Sequence, residues 1–121
     1  MDRQALGRAG EEAACRELRR RGYEILERRY RTRHGEIDIV ARHGPALVFV
    51  EVKARIGRRF GTALEAVTLQ KQQRVVAMAA DYLARRHVPP CPCRFDVVGV
   101  GMDDDGRISE IAVVPGAFAA G

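Results

Sequence analysis

Cysteine is scarce in this 121-residue sequence, and its three copies are an odd number. Cys91 and Cys93 sit in PPCPCR with a single residue between them, and Cys15 is the only other thiol. That spacing suits neither a local disulfide nor a zinc half-site. Reduced thiols are the expectation. Tryptophan is absent and aromatic residues make up 6% of the chain. No apolar run approaches the about 18 residues of a membrane-spanning helix. The opening MDRQALGRAGEEAACRELRRR lacks a continuous apolar segment and carries acids early. It has the pattern of neither a signal nor a transit peptide, and a cytoplasmic location is expected. No repeat, low-complexity segment or Ser/Gly-rich linker divides the chain. One domain over 1–121 is expected, with a core of about 4–114 and a frayed tail at 115–121.

The composition is 46% hydrophobic and 31% charged, that of a chain able to bury a core. The net charge is +5, unevenly spread. Residues 16–33, RELRRRGYEILERRYRTR, hold eight arginines against three glutamates. A second basic group comprises Lys53, Arg55, Arg58 and Arg59. Guanidinium forks bind phosphate in bidentate fashion, so both groups point to nucleic acid. A solvated arginine-rich surface is the plain alternative.

Periodicity and punctuation predict seven elements. A helix spans 4–21 and ends at Gly22. Strands follow at 23–30, 36–42 and 47–54, the last two forming a hairpin about Gly44-Pro45. Residues 56–61 read as a loop. Thr68 caps a helix over 69–86 that stops before Pro89-Pro90. Strands at 94–100 and 107–114 flank the turn at Asp103–Gly106. The order αβββαββ is that of an α/β sandwich with a mixed sheet.

The segment VFVEVKAR, 48–55, is a strongly apolar strand that carries Glu51 and Lys53 on one face. Phe49 shares that face, while Val48, Val50 and Val52 point the other way. A hairpin loop symmetric about Gly44-Pro45 sets Asp38 across from Glu51, and Glu36 across from Lys53. Opposed Cβ atoms lie about 4.5–5.5 Å apart, where two carboxylates repel unless a cation or a proton joins them. A divalent metal resolves that repulsion economically. Solvated acids and a cross-strand Glu36–Lys53 ion pair are the alternatives.

In the first helix Glu11, Ala14, Cys15 and Leu18 form one stripe. A glutamate on an apolar stripe calls for a partner; an early-helix acid that complements the helix dipole is the equal alternative. In the second helix Leu69, Gln72, Val76, Ala79 and Leu83 line a stripe, with Gln72 as a satisfied amide or a supporter of the site. Lys71 and Arg74 lie off that stripe, placed to reach phosphate. Tyr23, Tyr30 and Phe60 are candidates for base stacking, with core packing the better assignment for Tyr23. His34 and His43 read as surface residues.

The segments GRAGEEAA (7–14), RGYEIL (21–26), HGEIDIVA (34–41), LVFVEVKAR (47–55) and CRFDVVGV (93–100) together resemble the YraN family of small bacterial proteins. The likeness covers roughly 5–100. That family is similar to archaeal Holliday-junction resolvases and to the PD-(D/E)xK nucleases. The resemblance implies a restriction-endonuclease-like three-layer sandwich. It also implies a magnesium site built from a helix acid, a strand aspartate and an E-x-K on the next strand. By position these are Glu11, Asp38 and Glu51 as metal ligands, with Lys53 as the fourth catalytic residue. Ile37 stands before Asp38 where the nuclease motif has proline, a proline that many members of the superfamily lack. Hard oxygen ligands without thiolate or imidazole favour Mg²⁺ or Mn²⁺. Glu36 and Gln72 are expected to support the site. Arg28, Arg29, Arg31, Arg33, Arg55, Arg58, Arg59, Lys71 and Arg74 are expected to bind nucleic acid. The function expected is metal-dependent hydrolysis of DNA phosphodiesters, in branched or damaged structures. A non-catalytic nucleic-acid-binding module is the alternative, and a protein whose basic face docks an acidic partner a third. Homodimerisation is implied by the resolvase likeness alone.

Overall fold

A computed structural model of the chain describes residues 2–57 and 67–120. The elements are α1 (Arg3–Arg20), β1 (Glu24–Thr32), β2 (Gly35–His43), β3 (Ala46–Ile56), α2 (Leu69–Arg85), β4 (Cys93–Met102) and β5 (Ile108–Phe118). They follow the expected αβββαββ order. The five strands lie side by side in chain order, antiparallel except for the central β3–β4 pair, which is parallel. A parallel pair needs a crossover, and α2 supplies it.

Local chemistry sets the boundaries. The Asp2 carboxylate accepts the Ala5 amide at 2.7 Å and caps α1. At the other end Gly22 takes φ 90°, and the Tyr23 amide reaches back to the Leu18 carbonyl at 2.9 Å. This six-to-one bond is the Schellman stop that glycine allows. Thr68 caps α2 by accepting the Lys71 amide at 3.2 Å. Between β2 and β3, Gly44 supplies φ 58° for a two-residue turn. His43 then pairs with Ala46 and Ile39 with Val50, the register expected from the symmetric loop.

The helices cover opposite faces of the sheet and give three layers. Under α1, Ala14, Cys15 and Leu18 pack on Ile39, Val48, Val50, Val98 and Val100. Under α2, Val75, Met78 and Tyr82 pack on Val40, Leu47, Phe49 and Phe95. The α1 stripe is the one expected. The α2 stripe is rotated from it: Val75, Met78, Ala79 and Tyr82 are buried, and Leu69 is 69% exposed. Lys71 lies one turn before Val75 on this buried stripe, not off it.

Three further features depart from expectation. Tyr30 is a core residue, its hydroxyl bonded to Asp81, and so is not available to stack a base. Ile37 packs in the α2 layer with Tyr30, not beside Ile39. The alternation breaks where Arg29 of β1 takes φ 55° next to Asp38 of β2. The tail is ordered further than expected, since β5 continues to Phe118, whose ring stacks on Phe95 at 5.1 Å. Tyr23 is buried and stacked flat on the half-buried His43 ring at 4.0 Å. No disulfide joins the three cysteines.

Candidate functional site

The hairpin ladder ends at Ile39–Val50, and the site begins there. The Val52 amide turns to the Asp38 carboxylate, bonding Oδ2 at 2.7 Å. Glu51 lies on the Phe49 face of β3 and is 2% exposed. Its Oε2 is 3.5 Å from the Lys71 ammonium of α2. Its other oxygen, Oε1, is buried without a hydrogen-bond partner. Such an atom carries the desolvation cost of a polar group with nothing in return.

The two acids are electrostatically one unit. Burial raises the Asp38 carboxyl to about 6; the Val52 amide opposes this, the Glu11 charge adds to it, and Lys71 and Lys53 pull it down. Burial likewise raises Glu51 to about 7, helped by the Asp38 charge and opposed by Lys71 and Lys53. For both acids the cost of burial is thus the leading cause, and the two lysines oppose it only in part.

Glu11 is buried on the α1 stripe and found its partners within the chain. Arg28 Nε lies 3.2 Å from its Oε1, and Arg29 Nε bonds Oε2 at 3.3 Å. Arg28 also bridges to Glu12 at 2.6 Å. Glu36 is drawn to Arg31 of β1 at 2.9 Å, so the expected Glu36–Lys53 pair across the hairpin is not the contact made. Lys53 is half-buried on β3. Gln72 donates to the Val67 carbonyl at 3.1 Å, a local bond at the start of α2.

A cleft of about 360 Å³ opens onto Asp38 and Val52. Arg29 and Arg31 of β1 form one wall, and Arg3 and Arg8 of α1 the other, with Gly7 between them. Of the arginines expected to hold nucleic acid, Arg28, Arg29 and Arg31 are engaged with glutamates. Arg33, Arg55 and Arg74 are exposed. Arg58, Arg59 and Phe60 lie outside the described residues. Arg3 and Arg8 escaped the sequence reading, although Gln4, Arg8 and Glu11 share one helical face at i, i+4, i+7.

The donor chemistry fits a hard divalent cation at the Asp38–Glu51 pair. Both ligands are carboxylates, and one oxygen is unpartnered. The third expected ligand fits less well, because Glu11 is turned to two arginines. Among the described residues no three carboxylate, imidazole or thiol groups converge closely enough to hold one ion. Also among them, no helix is long and apolar enough to cross a membrane.

A second polar cluster is built on β4, where Asp96 is in register with Val50 of β3. Asp96, fully buried on β4, accepts the Tyr23 hydroxyl at 2.7 Å, two Arg94 nitrogens at 2.9 Å and the Gly116 amide at 3.0 Å. Arg94 also contacts Tyr23 Oη and His43 Nδ1, each at 2.9 Å. Every polar atom of Asp96 is answered from within the chain, the mark of a structural tie and not of a vacant site.

Residues 10–100 match the profile of the Uncharacterised protein family UPF0102. A UPF0102 protein of Symbiobacterium thermophilum is 51% identical over 115 residues, covering 95% of this chain and 97% of its own length. One from Moorella thermoacetica is 46% identical over 118 residues, 98% of each chain. One from Nocardia farcinica is 50% identical over 106 residues, 88% of this chain and 84% of its own. The likeness runs through both helices and all strands up to β4, including the segments that carry Glu11, Asp38, Glu51 and Lys53. The chain belongs to the uncharacterised protein family UPF0102.

Proposed function

We propose that this chain is a metal-dependent endonuclease that hydrolyses phosphodiester bonds in DNA, with branched or damaged structures as its substrates. A cytoplasmic setting goes with that role. One observation carries the proposal: a half-buried Asp38 lines an arginine-walled cleft, and beside it the buried Glu51 has one unpartnered oxygen. A carboxylate pair repels phosphate, so a protein that only bound nucleic acid would gain nothing by burying one there.

In this reading Asp38 and Glu51 hold Mg²⁺ or Mn²⁺. When bound, such an ion supplies Lewis acidity toward the scissile phosphate. Until then Lys71 offsets part of the pair's charge through its contact with Glu51. Lys53, two residues along β3 from Glu51, offsets the negative charge that grows on the phosphate in the transition state. The Val52 amide fixes the Asp38 carboxylate, so one of its oxygens is oriented before any ligand arrives. Glu11 joins the set only by releasing Arg28 or Arg29, and either guanidinium is then free to take a phosphate.

That same pairing favours a second reading, a non-catalytic nucleic-acid-binding module, because it leaves two acids where three are expected. Asp38→Asn separates the two. The variant should lose Mg²⁺-dependent cleavage of branched, nicked or single-stranded DNA by at least about a hundredfold. Its DNA affinity should hold or rise, since a negative charge has left the cleft. Equal cleavage by variant and wild type would overturn the nuclease reading. No cleavage by either protein, with binding intact, would favour the module.

A further inference from the structure

Two glycines of α1 invite opposite explanations. A side chain at Gly10 would meet the Ala54 Cβ at 2.6 Å, so the helix could not otherwise lie this close to β3. A Cβ at Gly7 would meet nothing within 4 Å. Gly7 is exposed, sits in the helix interior and has no left-handed backbone to accommodate. Glycine there weakens the helix relative to alanine with no packing in return. The remaining use for a missing side chain is close approach by something outside the chain.

The surroundings say what that is. Gly7 lies in the cleft that leads to Asp38, flanked by Arg3 and Arg8. The walls differ in charge state. Arg29 and Arg31 are paired with Glu11 and Glu36, whereas Arg3 and Arg8 make no ion pair with a carboxylate among the described residues. Their charge is therefore available to an outside anion. Arg3 to Glu11 covers about 12 Å along the helix axis at 1.5 Å per residue. Phosphates along a duplex strand recur about every 3.4 Å of axis, so several fit in that length.

We propose that the Arg3–Gly7–Arg8 face of α1 is a seat for a DNA backbone, Arg3 and Arg8 gripping phosphates over the bare Gly7 and leading the strand to Asp38. The seat rests on the nucleic-acid reading of the cleft, but not on cleavage. It also moves the leading phosphate contacts away from the β1 arginines, which are already neutralised.

The experiment is fluorescence anisotropy of a labelled short DNA, single-stranded and duplex, with EDTA present, across a salt series. Arg3→Gln/Arg8→Gln should weaken binding at least about tenfold and flatten the slope of log affinity against log salt by about two. Gly7→Gln should weaken binding several-fold with the slope kept and the melting temperature not lowered, because it obstructs the seat and removes no charge. Arg107→Gln, in the β4–β5 turn, should bind as wild type. Wild-type affinity in both cleft variants, with the wild type itself binding, would overturn the seat and leave the nuclease reading to Asp38→Asn. Equal losses in the cleft variants and in Arg107→Gln would also overturn it, in favour of diffuse charge. Absence of binding by the wild type would overturn both.

Discussion

Glu51 holds one oxygen against a lysine and the other against nothing. Its ionised form is costly there, and so is that of Asp38, which explains why both carboxyls titrate well above the ordinary range. The sign of the consequence follows from linkage. In the metal-free protein the folded state binds protons more tightly than the unfolded chain at these two sites. Their contribution to stability is complete below the ordinary carboxylate range and is lost as pH rises through about 6 and about 7. Urea unfolding of metal-free protein should therefore show stability falling from mildly acidic to neutral pH. Asp38→Asn should flatten the fall, since the amide has no charge to bury and relieves Glu51 as well. Lys71→Met should steepen it, because the cation opposing the shift is gone. Stability that rises over the same range would contradict this charge balance. The sequence signalled both acids, through strand alternation and a symmetric loop. It did not signal the place of Lys71: the i, i+4, i+7 series Lys71, Val75, Met78 competes with another stripe that also reads as apolar.

At the level of elements, helix α1 lies close to β3, and that spacing sets where Glu11 sits. Gly10 allows it. In Gly10→Ala the added methyl must push against a Cβ fixed to the β3 backbone, and α1 has to lift. The variant should lose about 1–3 kcal/mol in denaturant unfolding, despite the helix preference of alanine. Gly7→Ala should gain about 0.5–1 kcal/mol in the same measurement. Equal effects at the two sites would show that helix propensity alone governs this helix. The element boundaries were legible because caps are local: Gly22, Thr68 and Gly44 each act on backbone a few residues away. The Arg29 kink was not, because an arginine in the left-handed region is held there by its surroundings and leaves no mark in composition.

Over the whole molecule, the two polar clusters answer to different demands. The Asp38–Glu51 pair is underpartnered, and Asp38 lines a cleft. Asp96, in register with Val50, instead ties β4 to the start of β1 through Tyr23, to β5 through Gly116 and to the end of β2 through Arg94 and His43. Asp96→Ala leaves a buried guanidinium contact, a phenol and an amide without their acceptor. It should cost about 3–5 kcal/mol, measured by urea unfolding. Metal affinity at Asp38, measured by calorimetry on the folded variant, should stay within about threefold, as expected for sites without shared partners. Loss of metal affinity together with stability would show that the two clusters are coupled. Asp96 was hidden in CRFDVVGV as the one polar residue of a strand, and nothing within that segment names its partners.

The sequence by itself determined the order of elements, the α/β sandwich with its mixed sheet, the hairpin register and the facing of Glu51 away from Val50. All of these depend on short-range patterns: caps, alternation and turn residues. Tertiary structure decided which charges meet. Glu11 finds arginines before it finds Asp38, Glu36 turns to β1, Lys71 enters the site, and Arg3 and Arg8 pair with no carboxylate among the described residues. The physical reason is reach. Long charged side chains choose partners across several ångströms of folded surface, and only the packed helices and strands fix which partner lies nearest.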